Sequence, residues 1–183
     1  MEHNKDSTMK QQKATTEDYN AVITFYEDVM ARTPGIGHLA QWRKGTHPTE
    51  EGIKAFIEEG SLYLYKEEDT IIGAMAVSMS QCEELSAAEW PRKLSDDEVA
   101  VIELLAVNPD KQGAGIGATM VREAIELASI NRKKAIRLDA TASNTPVHRL
   151  YERLGFSFQG RQSLNAENVG PLEFFLYEYT INP

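Results

Sequence analysis

The sequence predicts an α/β (α+β) fold: a mixed central sheet of about six to seven strands with helices on both faces. Two observations lead there. The run Val99-Ala-Val-Ile-Glu-Leu-Leu-Ala-Val107 is apolar at both parities apart from one glutamate, as expected of a central strand covered on each side. Strand-like and helix-like segments follow one another as β-α-α-β-β-β-α-β-α-β-β, which is not a strict βα alternation. The 183 residues suit one domain spanning 1–183, since domains run to roughly 100–200 residues.

Taken in order, residues 1–12 are polar and read as a flexible tail leading into a first strand. Thr15 or Thr16 can cap a helix from Thr16 to Met30, in which Tyr19, Val22, Ile23, Tyr26, Val29 and Met30 share a face. A second helix fits Pro48 to Glu59, with Ile53, Phe56 and Ile57 inward and Gly60 as its stop. Leu62 to Lys66 and Thr70 to Ser80 form a hairpin around Glu67-Glu68-Asp69. The stretch from Gln81 to Asp97 has no clear period and reads as a functional or mobile loop.

After the central strand, Asn108 to Ala114 is a loop and Gly115 to Ile130 a helix with Ile116, Met120, Val121, Ala124, Leu127 and Ala128 inward. Ala135 to Ala140 is a further central strand. Asn144-Thr-Pro opens a helix that Gly155 ends, with Val147, Leu150, Tyr151 and Leu154 on one face and His148 off it, in solvent. Two strands close the chain, near Phe156 to Leu164 and Leu172 to Ile181.

Composition narrows the function. There are 28 acidic and 19 basic side chains, a net charge of −9, which argues against a nucleic-acid binder and is compatible with a cationic substrate. Cys82 is the only cysteine and no Cys/His spacing fits a metal site, so no metal and a reducing, cytoplasmic setting are expected. The longest apolar stretch, Ile71 to Val77, is far too short to span a membrane. No hydrophobic leader opens the chain.

The sharpest local signal is Gln112-Gly-Ala-Gly-Ile-Gly117, between a buried strand and a helix start. Glycines let the backbone approach a ligand closely, and free amides at a helix N-terminus suit a pyrophosphate. Two readings compete. Gly113-x-Gly115-x-x-Ala118 satisfies the loose dinucleotide fingerprint, with Asp139 near the position of a ribose-binding acid. However, Asn108 to Gln112 separate the strand from the first glycine, and too little chain follows for a doubly wound nucleotide domain.

The other reading fits better. Gln112, Gly115 and Gly117 match the [Gln/Arg]-x-x-Gly-x-[Gly/Ala] acyl-CoA loop, and Asn144, Tyr151, Gly155 and Phe156 match a later Asn…Tyr-x-x-x-Gly-Phe signature. With these motifs and this element order the chain resembles the GNAT N-acetyltransferase superfamily over about residues 13 to 181. The resemblance implies acetyl-CoA as co-substrate, with its pantetheine arm lying like an extra strand beside Leu105, Ala106 and Val107. It seats the pyrophosphate on the amides of Gln112, Gly113, Ala114, Gly115, Ile116 and Gly117, with Asn144 as a CoA contact or a helix cap. Lys111 and Arg149 stand as partners for the outlying phosphate or as solvated surface.

The activity implied is acetyl transfer to a primary amine, carried by a small molecule or a protein. A lysine-like amine titrates near ~10.4 and must lose its proton first. Tyr151 holds the family position of the general acid, facing the departing sulfur, against the alternative of an ordinary inner-face aromatic. Glu103 is costly in a buried strand unless it is paired or lines a cavity, so it is a candidate base or amine-recognition group. Trp42 and Trp90 are either acceptor-pocket walls or half-buried aromatics, and His38 and His47 flank the first of them. Cys82 has no partner histidine signature and no covalent role is expected. The competing function is a non-catalytic acyl-CoA sensor of the same fold; a homodimer is compatible with either.

Overall fold

The computed structural model describes residues 9–166 and 170–181. Seven strands form one sheet in the order β1-β2-β3-β4-β5-β7-β6: β1 Lys10–Lys13, β2 Leu62–Glu67, β3 Thr70–Ser78, β4 Val99–Val107, β5 Ala135–Thr141, β6 Ser157–Ala166 and β7 Gly170–Thr180. β4 and β5 run parallel and the other neighbours antiparallel. The mixed sheet is as the sequence predicts. Strand β1 already begins at Lys10, so residues 10–12, expected in the tail, pair with β2; residues 1–8 lie outside the described residues.

Six α-helices accompany the described strands: α1 Tyr19–Arg32, α2 Ile36–Leu39, α3 Glu50–Glu58, α4 Glu83–Ser86, α5 Ile116–Ile130 and α6 Thr145–Arg153. Thr15 and Asp18 form a capping box ahead of α1, delaying the helix to Tyr19 through a 3-10 turn. The Thr49 hydroxyl accepts from the Gly52 amide at 3.0 Å and starts α3.

Three clusters divide the core between the sheet's faces. Ala100, Ile102, Ile136 and Leu138 pack with Met120, Val121, Ala124 and Ala128 of α5 and Tyr151 of α6. On the opposite face, Ala74, Ala76 and Ala106 pack with Val22, Tyr26 and Val29 of α1 and Ile53 and Ile57 of α3. Val99, Val101 and Leu176 pack there with Leu85 and Trp90. Strand alternation therefore sends Glu103, Arg137 and Asp139 to the α1/α3 face, away from α5 and α6.

Two expectations fail. Residues 81–97, expected as a functional or mobile loop, supply part of the core: Leu85 and Trp90 are buried, with Trp90 3% exposed, its indole N–H donating to the Leu85 carbonyl and its ring 4.1 Å from the Arg137 guanidinium. Irregular spacing of a few apolar residues leaves no period to read. His148 is buried rather than solvated. Its ring stacks on Phe175 and Tyr177, and Nε2–H donates to the Thr141 carbonyl at 3.0 Å.

Candidate active site

A split in the middle of the sheet builds the site. β4 and β5 pair only through Val99, Ala100 and Val101 with Ala135, Ile136 and Arg137, and then part. A bulge on β4 reinforces the parting: the register with β3 slips between Ala74/Ala106 and Ala76/Glu103, and Leu104 adopts φ +52°, a conformation a leucine holds only under constraint. The constraint is visible. The Tyr26 hydroxyl, buried in α1, donates to the Leu104 carbonyl at 2.8 Å.

The split opens into a cavity of about 760 Å³, within the usual range for small-molecule sites. Its lining includes Glu103, Leu105, Ala106, Val107, Gln112, Gly113, Gly115, Ile116, Gly117, Asn144 and Tyr151; of the catalytic and CoA-contact residues expected from the two motifs and β4, only Ala114 lies outside it. At one end is the glycine loop. Gly113 and Gly115 both have φ +83°, and no atom stands within 4 Å of where a Cβ would project, so the cradle is open. The Gln112 and Ala114 amides turn back to Pro109 and Lys111 carbonyls, which leaves the first amides of α5 as the donors offered to an anion. The Gln112 side chain ties the loop to α1 through Thr33 Oγ1 and to β4 through the Val107 carbonyl, both at 3.3 Å.

The two basic candidates take different places. Lys111 lines the cavity with its ammonium 2.5 Å from Glu67. Arg149 is exposed and off the cavity, whereas Arg153, one turn later on α6, lines it. At the other end, α2 reaches across the split: the Thr141 hydroxyl donates to the Leu39 carbonyl and Ser143 Oγ to the His38 carbonyl at 2.9 Å. Trp42 and His47 line the cavity, edge to face with centroids 6.4 Å apart; Trp90 and Cys82 do not line it.

Three titratable groups converge on the middle. Tyr151 comes from the α6 side, and burial, aided by the Asp139 charge, raises its phenol pKa so that it keeps its proton. Glu103 comes from the opposite face; burial raises its carboxyl pKa, Ser78 Oγ at 3.3 Å partly offsets this, and Asp139 adds to the rise. Burial pushes Asp139 to about 6. Sequence reasoning noticed Asp139 only through the discarded dinucleotide fingerprint. The available signal was its place near the end of a central strand, where an acid is as costly as Glu103.

A sequence profile described as the acetyltransferase (GNAT) family matches residues 20–156. The chain belongs to that family. An N-acetyltransferase of Bacillus subtilis strain 168, YesJ, is 24% identical over 79% of this chain and 84% of its own length. The spermine/spermidine N(1)-acetyltransferase of the same organism is 39% identical over 59 residues, 32% of this chain and 39% of that protein. The N-acetylaspartate synthetase of Danio rerio is 33% identical over 46% of this chain and 32% of its own. Among solved structures, yncA from Salmonella typhimurium, described with acetyl-CoA, superposes with TM-score 0.69 at 17% identity, covering 97% of this chain and 96% of that one. A GNAT acetyltransferase from Streptococcus agalactiae reaches TM-score 0.76 at 17% identity and 96% coverage of each chain. Among the described residues of this acetyltransferase, no helix is long and apolar enough to cross a membrane.

Proposed function

We propose that the chain moves the acetyl group of acetyl-CoA to a primary amine by direct attack in a ternary complex. The observation that carries this is the split between β4 and β5, with an open glycine cradle at one end and Tyr151 and Glu103 reaching it from opposite faces. The free amides at the start of α5 hold the pyrophosphate, so an acidic protein needs few cations to bind a polyanion. The β4 edge at Leu105, Ala106 and Val107 bonds the pantetheine amides, and a backbone N–H there steadies the charge growing on the thioester oxygen.

Acetyl-CoA supplies the thioester carbon. Glu103 takes a proton from the acceptor ammonium, directly or through water, and its burial-raised pKa suits that task better than an ordinary carboxylate would. The amine nitrogen forms its bond to the acetyl carbon while the carbon–sulfur bond breaks. Tyr151 donates its proton to the departing sulfur and is restored by the second proton the nitrogen releases. The net products are an N-acetyl amine, free CoA thiol and one proton.

The test is acetyl-CoA with a panel of primary amines, followed by thiol release. Tyr151→Phe is expected to lower kcat about 100-fold with CoA affinity within about twofold; an unchanged rate removes its role as acid. CoA binding without thiol release from any amine returns the sensor reading.

A further inference from the structure

We propose that Asp139 is the second half of a two-carboxylate seat for the acceptor's ammonium, and that this seat selects a monoamine carried on an apolar body. The proposal rests on the transferase reading above and deepens it. Its basis is register. β4 and β5 pair Val99 with Ala135, Ala100 with Ile136 and Val101 with Arg137. Two residues further along the same register, Glu103 stands across from Asp139, at the point where the strands have parted. Alternation puts both on the face away from α5 and α6, so both carboxylates look toward the acceptor side while Tyr151 looks in from the other.

Among the described residues, no cation forms an ion pair with either carboxylate. Glu103 accepts from Ser78 Oγ, and the charges acting on it are those of Asp139, Glu59 and Glu84. Asp139 feels Glu84 and acts on Tyr151. Arg137, two residues before Asp139 and on the same face, is already committed to Glu178, Gln81 and the Arg92 carbonyl. Two like charges facing one gap without a counter-ion leave a place suited to a cation.

The rest of the cavity decides which cation. Near the seat the walls are apolar: Leu39, whose carbonyl is bound by Thr141; Trp42; and Phe174, paired with Thr141 across β5 and β7. Among the described lining residues, Glu103 and Asp139 are the only acids, Glu59 and Glu84 acting on them from outside the lining, so a second amine of a polyamine finds no second carboxylate inside the cavity. The lining cations are Lys111 and Arg153, one at the glycine-loop end and one on α6, so an acceptor carboxylate finds no partner on this face. A primary amine on an aliphatic or aromatic frame satisfies both conditions.

Calorimetry of amines binding to the complex of the full chain with CoA tests this without needing turnover, alongside thiol release with acetyl-CoA. Phenethylamine, spermidine and aspartate are the probes. Phenethylamine is expected to bind at least about tenfold more tightly than the other two. Asp139→Asn is expected to weaken it about 10- to 100-fold with CoA affinity within about twofold, the loss typical of a charged hydrogen-bond partner. The acidic limb of its pH–binding curve should move as well, a change that loose packing alone would not produce. Stronger binding of spermidine or aspartate overturns the apolar-monoamine selection. Full affinity and an unmoved pH limb in Asp139→Asn overturn the seat. Amine binding that obeys these expectations without thiol release leaves the seat standing and refutes the transferase reading instead; thiol release from amines that ignore Asp139 does the reverse.

Discussion

Strand β5 carries two charged residues on the same face, two positions apart, one buried and one partly buried, and they are treated in opposite ways. Arg137, 1% exposed, meets Glu178, 4% exposed, with Nε 2.8 Å from Oε2; it is bonded to Gln81 Oε1 and the Arg92 carbonyl and covered by the Trp90 ring. Asp139 is only partly covered and has no such partner among the described residues, and desolvation pushes its carboxyl up to about 6. The difference shows what each region is for. A buried charge with a full set of partners fixes the place where β4 and β5 still pair, and a partly covered charge without them keeps a free electrostatic demand at the place where they part.

Replacing Arg137 by methionine should convert the first region into the second. It leaves the buried Glu178 with only the longer, half-exposed Arg92 contact at 3.8 Å and should cost about 3 kcal/mol of folding stability, read from denaturant midpoints. A loss under about 1 kcal/mol would mean that the Glu178 charge was never dependent on its partner.

Asp139→Asn should act in the opposite direction. In the folded chain Asp139 titrates near 6, against an ordinary value of 3.8. Between those values the native state holds a proton that the unfolded chain has released, so native stability falls as pH rises through that window. The loss is complete above about 6. Asparagine carries no such penalty, so the variant should be more stable than the parent by about 1–3 kcal/mol at pH 7.5 and should lose most of that advantage near pH 4. Thermal melts at the two pH values check it. A stability gain accompanied by weaker amine binding would mark Asp139 as a residue kept for function at the expense of the fold.

The smallest effect is expected at Ser78→Ala. Removing the Ser78 hydroxyl that donates to Glu103 should raise that carboxyl further and move the acidic limb of kcat/KM upward by a few tenths of a pH unit, with stability changed by about 1 kcal/mol or less.

The parts of the site legible in the sequence are those that lie close together along the chain. The glycine loop announces itself in six consecutive residues, and Asn144, Tyr151 and Gly155 fall within one helix and its ends. Glu103 was legible as a single polar interruption in an apolar run. What the sequence hid depends on partners far away in the chain. The bulge at Leu104 needs Tyr26, 78 residues earlier, and leaves no pattern of its own in the strand. His148 looked solvated and Trp90 at most half-buried because their burial comes from Phe175 and Tyr177 and from Arg137, on other elements. Asp139 gains meaning only from a strand register that no single segment encodes.

One short stretch of chain grips both lips of the opening. Tyr26 and Thr33 hold the β4 side and its loop, while His38 and Leu39 hold the β5 side. The width of the slot is therefore dictated by a segment that belongs to neither strand. Changes along residues 26–39 can respace acid and base without altering either, which makes that segment the natural place for variation to retune which acceptors the scaffold admits.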